Sequence, residues 1–214
     1  MRKYVAEFIG TFALVFCGTG AVIINEETNG AIGHVGIAIT FGLIVLTMIY
    51  TFGETSGAHI NPAVTIAFFL TGRFRKGEVF QYIFSQLAGA FLATFILKFL
   101  FQANNDLGAT VPAGSSMQSF VLEFILTYLL MLVIIQVSSG PKEIGVMAGI
   151  AIGATVLLEA MFAGPICGAS MNPARSIAPA VVSGQLNSVW IYIFAPIGGA
   201  TCSVITWKMV FSAK

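Results

Sequence analysis

Two copies of one short phrase hold most of the polar chemistry in this chain. The first reads Ser56-Gly57-Ala58-His59-Ile60-Asn61-Pro62-Ala63 and the second Gly168-Ala169-Ser170-Met171-Asn172-Pro173-Ala174-Arg175. Asn followed by Pro is a helix-start signal: the Asn amide oxygen accepts from free N–H groups of the first turn, and Pro fits the first helical position. Each phrase sits inside apolar sequence, and only about ten more apolar residues follow it, too few to cross a bilayer. Each therefore predicts a short helix that begins within a hydrophobic layer, with Asn61, Pro62 and Ala63, or Asn172, Pro173 and Ala174, at its tip. Half-helices that start at membrane mid-depth mark a permeation or binding site. Once the amide oxygen caps its own helix, the amide NH₂ is left to donate to whatever passes. Arg175 lies on the first turn of the second short helix, and an arginine at that depth needs water and carbonyl partners. Glu7 and Glu123 also lie within apolar runs; one reading is a proton relay and the other is a fixed acceptor for nearby backbone.

The elements that must position these residues follow from composition. The chain has 214 residues, is 57% hydrophobic and is only 9% charged, which makes it an integral membrane protein. A net charge of +1 with scattered basic residues excludes a nucleic-acid partner. Runs of about twenty apolar residues predict spans at about 4–24, 34–53, 79–101, 118–137, 144–163 and 188–211. The short helices fall at about 62–71 and 173–182. Lipid gives the backbone no hydrogen-bond partners, so the fold class is all-α membrane. The first run resembles a signal peptide in its basic start, but it is long enough to span and Glu7 interrupts it, so it is read as a membrane helix. Arg2, Lys3, Arg73, Arg75, Lys76, Lys142, Lys208 and Lys214 share one side of this topology, with Lys98 the main exception. The excess puts both termini in the cytoplasm, and the compact length suits a prokaryotic inner membrane.

The halves repeat each other as a single channel domain over 1–214, about 1–105 and about 116–214. Ala6-Glu7-Phe8-Ile9-Gly10-Thr11-Phe12 matches Leu122-Glu123-Phe124-Ile125-Leu126-Thr127-Tyr128, and Leu87-Ala88-Gly89-Ala90 matches Ile197-Gly198-Gly199-Ala200. Three spans per half is an odd number, so the second copy enters inverted and the short helices meet tip to tip. Glycines such as Gly89, Gly153 and Gly199 predict close helix contacts, whereas Gly108 and Gly114 read as flexible loop. Cys17, Cys167 and Cys202 are odd in number and read as packing residues, with no metal spacing and no cofactor. His34 and His59 read as packing or loop residues. Glu159 has no repeat partner and no assigned role.

With these residues in place, the chain resembles the major intrinsic protein family, the aquaporins and aquaglyceroporins, along essentially its whole length. Ala163-Gly164-Pro165 leading into the second motif, and Trp190-Ile191-Tyr192-Ile193, are similar to a bacterial nodulin-26-like subgroup. The resemblance implies a homotetramer in membrane lipid with one pore per subunit. It implies that Glu7 and Glu123 support the motif loops, and that the outer constriction falls on Phe41, Ala160, Ala169 and Arg175. Water-selective members resemble one another in having histidine at the Ala160 position. The methyl here implies a wider filter, passing small neutral polyols, urea or undissociated metalloid hydroxides as well as water. Ser176 and Ala180 pull the other way, toward a strictly water-selective channel. An ion-coupled secondary carrier also uses inverted repeats and broken helices, with Glu7, Glu123 or Glu159 as its only coupling candidates. A membrane enzyme lacks a nucleophile–base pair or metal cluster, and a structural junction leaves Arg175 unexplained.

Overall fold

A segment in hydrocarbon must satisfy its own backbone, and the chain does so with helices. The computed structural model describes residues 1–139 and 145–211, and among these the chain forms eight helices. They are α1 (Arg2–Glu27), α2 (Gly33–Ser56), α3 (Pro62–Leu70), α4 (Lys76–Leu100), α5 (Ser116–Val137), α6 (Ala148–Cys167), α7 (Pro173–Ser183) and α8 (Ile191–Phe211). Six are long and apolar enough to cross a membrane. The other two, α3 and α7, have 9 and 11 residues, so each rises only about 14–17 Å. Lys142, Lys214 and the expected start of a span at 144 lie outside the described residues.

Several boundaries differ from expectation by a few residues. The fifth span was expected to end near 163, yet α6 runs on to Cys167 with Pro165 in its last turn. Proline has no N–H, so the carbonyl of Met161 loses its helical partner. A donor from another helix replaces it: His34 Nε2, at the start of α2, lies 2.7 Å from that oxygen. The helix then closes on Gly168, whose φ of +83° and N–H bond to Gly164 O (2.9 Å) form a left-handed cap. Gly57 ends α2 in the same way, with φ +85° and a bond to Gly53 O.

Packing follows the sequence repeat. In one half α1 lies against α2 and α4; in the other α5 lies against α6 and α8. A Cβ added to Gly89 would fall 2.2 Å from the carbonyl oxygen of Phe8, and one at Gly199 2.1 Å from that of Phe124. These glycines let α4 and α8 touch α1 and α5 backbone to backbone, just beside Glu7 and Glu123. The halves meet where α2 crosses α6: Gly42 and Gly153 each lie where a Cβ would be 2.7 Å from the other's carbonyl oxygen. The short helices exchange partners, α3 packing on α8 and α7 on α4.

That exchange explains the lysine that broke the charge pattern. Lys98, in the last turn of α4, donates to Val182 O at the C-terminal end of α7 (3.3 Å). Lys208 of α8 donates to Leu70 O at the end of α3 (3.0 Å). Each short helix has its negative end met by a cation from the opposite half, an interaction worth about 0.3–1 kcal/mol near a surface. Substituting Gly199→Leu is expected to separate α5 from α8, because the obstructing atom is backbone and cannot rotate away. The measurable result is a fall of several degrees in the melting temperature of the purified protein in detergent, with the same direction for Gly89→Leu.

Candidate functional site

The loops entering α3 and α7 carry an unusual backbone. Ala58 and Ile60 in the first loop have φ of +45° and +42°, and Ala169 and Met171 in the second have +41° and +52°. Side-chain-bearing residues avoid this region, at a cost of about 1–3 kcal/mol each. The conformation persists because it turns successive N–H groups toward one buried carboxylate. Glu7 Oε1 accepts from Ser56 Oγ (2.7 Å) and His59 N (2.9 Å). Its Oε2 accepts from Ile60 N and Gln86 Nε2, both at 2.7 Å. Glu123 does the same for the second loop, accepting from Ser170 N (2.7 Å) and Met171 N (2.8 Å). Both carboxylates have no exposed surface. A hydrogen bond to a charged group is worth about 1.5–3 kcal/mol, so the four donors on Glu7 outweigh the strain of two residues.

The tips of the short helices are laced together. Asn61 Oδ1 accepts from Ala63 N (2.9 Å), and Asn172 Oδ1 accepts from Ala174 N (3.0 Å), as caps. Each amide nitrogen then crosses to the other loop: Asn61 Nδ2 donates to Met171 O (2.8 Å) and Asn172 Nδ2 to Ile60 O (2.9 Å). One N–H of each NH₂ is thus committed to the opposite loop, which the sequence did not reveal. The second N–H of each remains beside the central cavity that both asparagines line.

Three cavities follow one another through the molecule. The central one has a volume of about 50 Å³, against about 570 Å³ and 660 Å³ at its two ends. Adjacent cavities share walls: Phe41 and Arg175 line both the outer and central ones, and His59 and Val64 both the central and inner ones. Of the four residues named for the constriction, Ala160 lines the outer cavity and Ala169 the central one. Arg175 is 3% exposed. Its Nη1 donates to Gly108 O (2.9 Å), its Cζ lies 5.2 Å from the centre of the Phe41 ring, and its Nε is buried without a protein partner. A guanidinium with one carbonyl and one aromatic face satisfied still has donors to offer a passing oxygen.

Several participants were not evident beforehand. Gly108, expected to be a flexible loop residue, is fixed: its φ is +61°, and a Cβ there would lie 2.6 Å from Thr19 Cγ2. Its carbonyl holds Arg175, a role invisible in sequence because any residue has a carbonyl. Thr110 Oγ1 donates to Ser176 Oγ (2.8 Å), which is 2.6 Å from Ser170 Oγ, so a chain of hydroxyls braces the second loop. His59 is buried, with Nδ1 3.1 Å from Thr65 Oγ1 and its ring stacked on Phe68. Cys167 is buried at the repeat position of Ser56, while Cys17 lies at the surface. Glu159 is 7% exposed and neither carboxylate oxygen has a partner. Among the described residues no cluster of three or more His, Cys, Asp or Glu is arranged to hold a metal.

Known proteins are similar to this chain in sequence and in fold. A family model described as "Major intrinsic protein" matches residues 1–207. Aquaporin NIP1-1 of Oryza sativa subsp. japonica is 46% identical over 211 residues, covering 98% of this chain and 74% of the rice protein. Nodulin-26 of Glycine max is 46% identical over 211 residues, covering 98% of this chain and 78% of the soybean protein. Among solved structures, the aquaglyceroporin from Plasmodium falciparum is similar with a TM-score of 0.88 and 27% identity, covering 98% of this chain and 96% of that one. Matched along nearly its whole length in sequence and in fold, the chain belongs to the major intrinsic protein family.

Proposed function

We propose that the three connected cavities form a passive channel that conducts water and small neutral solutes and excludes protons and ions. The observation that carries this is the meeting of two laced helix N-termini at a narrow central cavity. Each terminus brings about half a positive charge, and two together repel cations where solvent is scarce. The unused N–H of Asn61 and of Asn172 donate to the oxygen of one passing water. Its hydrogens then point outward along the file, and the central water cannot relay a proton.

Phe41, Ala160, Ala169 and Arg175 form the selectivity filter in this reading. Arg175 donates to the solute oxygen and repels cations, while Phe41 and the two methyl groups leave an apolar wall for a carbon skeleton. Such a filter fits glycerol-like polyols, urea or undissociated metalloid hydroxides. The relatives named above support a channel of this class. Strict water selectivity is the second reading, favoured by Ser176 and Ala180. The ion-coupled carrier is disfavoured because Glu7 and Glu123 are committed to the motif loops as structural acceptors and Glu159 is not among the residues that line the three cavities. Residues 1–105 and 116–214 act as the two repeats of one domain, and the chain assembles as a homotetramer, as the family resemblance implies. It is an integral, multi-pass membrane protein. Both termini are assigned to the cytoplasmic side. The named plant relatives lend no support to the expectation of a prokaryotic membrane.

Reconstitution into proteoliposomes tests the channel directly, with shrinkage reporting water and re-swelling reporting glycerol, urea and arsenous acid. Replacing Ala160→His is expected to cut glycerol uptake about tenfold while water flux persists, because an imidazole occupies the entrance; unchanged glycerol uptake contradicts the filter assignment. Arg175→Val is expected to raise proton or cation conductance above the wild-type level, measured with a pH-sensitive dye under an imposed gradient. Mercurial block is expected to be weak, because the family's usual reactive position is here Ala169. A strong block that disappears in Cys167→Ser contradicts that.

A further inference from the structure

Phe41 on α2 and Ala160 on α6, two of the proposed filter residues, both line the outer cavity. The two helices are joined on either side of that pair. On the inner side the joint is backbone, where Gly42 meets Gly153. On the outer side it is His34, in the first turn of α2. Its ring is seated on Gly164, where a Cβ would lie 2.8 Å from the imidazole Cε1. Its Nε2 donates to Met161 O at 2.7 Å, since a carbonyl oxygen only accepts. Met161 directly follows Ala160.

The helix that carries Ala160 is broken beside it. Pro165 has no N–H, so Met161 O has no donor within α6. The proline ring also crowds that carbonyl, and a helix relieves the clash by bending away from the side where the two meet. That side faces α2, because His34 reaches it from there. Beyond Pro165 the chain passes through Gly168 into Ala169, which lines the central cavity with Phe41. Ala160 and Ala169 therefore stand on opposite sides of the break. Water hydrates a freed carbonyl well enough, but it ties nothing to α2. The His34 bond does, and it opposes the direction in which the proline pushes. One hydrogen bond is enough to shift a population of bend angles about two- to tenfold.

We infer that His34 is a positioning residue of the selectivity filter. Its bond to Met161 O holds the end of α6 against α2. That fixes the opening between Phe41 and the wall that runs from Ala160 through Gly164 to Ala169. The imidazole acts through the helix and needs no contact with a solute. Untied, the end of α6 leans away from α2 and the opening widens. Glycerol then gains relative to water, which already fits. The inference rests on reading the three cavities as a channel.

The full chain is reconstituted in proteoliposomes, and the ratio of glycerol to water permeability is measured. His34→Leu fills the space without a donor, and the ratio is expected to rise about threefold. His34→Gln keeps a donor for Met161 O, and the ratio is expected to stay within about 1.5-fold of wild type. Pro165→Ala returns an N–H to residue 165, which bonds Met161 O within the helix. In that background His34→Leu is expected to change the ratio by less than about 1.5-fold, because the break no longer needs the tie. An equal effect of His34→Leu in both backgrounds overturns the inference, since the ring then serves only as filling. So does a ratio in His34→Gln as high as in His34→Leu. Should His34→Leu not yield folded protein, Gly164→Ala decides: it pushes the ring off its seat, and the ratio is expected to rise in the same direction. An unchanged ratio there overturns the inference. Wild-type vesicles that pass neither water nor glycerol defeat the channel reading itself, a separate and recognisable result.

Discussion

Everything polar in the middle of this protein hangs on two buried carboxylates and the loops they hold. Glu7 and Glu123 each gather consecutive N–H groups from a loop whose residues include two with positive φ and a side chain. An unpaired carboxylate at that depth would cost several kcal/mol, and so would a loop whose N–H groups faced hydrocarbon. Put together, each removes the other's penalty. The turned backbone also sends the carbonyls of Ile60 and Met171 toward the opposite asparagine. The cap, the strained loop and the carboxylate form one unit, present twice, and each copy completes the other.

Around that unit the helices serve as spacers of defined closeness. Gly89 and Gly199 bring α4 and α8 onto the backbone beside the carboxylates, and Gly42 and Gly153 bring α2 onto α6 next to Phe41. The spacing of the helices around the passage is therefore set by backbone contact, while Phe41, Ala160, Ala169 and Arg175 line it. Arg175 is held by backbone as well, through Gly108 O.

Sequence revealed the parts of this arrangement that depend on side-chain type. Asn before Pro announces a helix start anywhere, and an apolar run of twenty residues announces a span, so the six crossing helices and two short ones could be placed to within a few residues. Matching Glu7 with Glu123 and Gly89 with Gly199 pointed to the repeat of the two halves, because both are costly or permissive residues in unexpected company. What stayed hidden depends on backbone or on distance. Gly108 contributes a carbonyl, which no residue type encodes. His34 bonds a residue 127 positions away. Its partner exists only because Pro165 sits inside a helix that was expected to end before it. Lys98 looked like an error in the charge pattern until the end of α7 was found beside it.

The two lysines at the far ends of the short helices also constrain how the chain is made. Lys208 follows Leu70 by 138 residues, yet it is the cation that meets the carbonyl of Leu70. During synthesis α3 is made well before α8, so its C-terminal end gains that cation only after α8 has been made and has docked. Lys98 has the reverse timing and is in place before the second re-entrant segment is translated. The molecule thus matures asymmetrically despite its repeat, the carbonyl end of α3 gaining its cation later than that of α7.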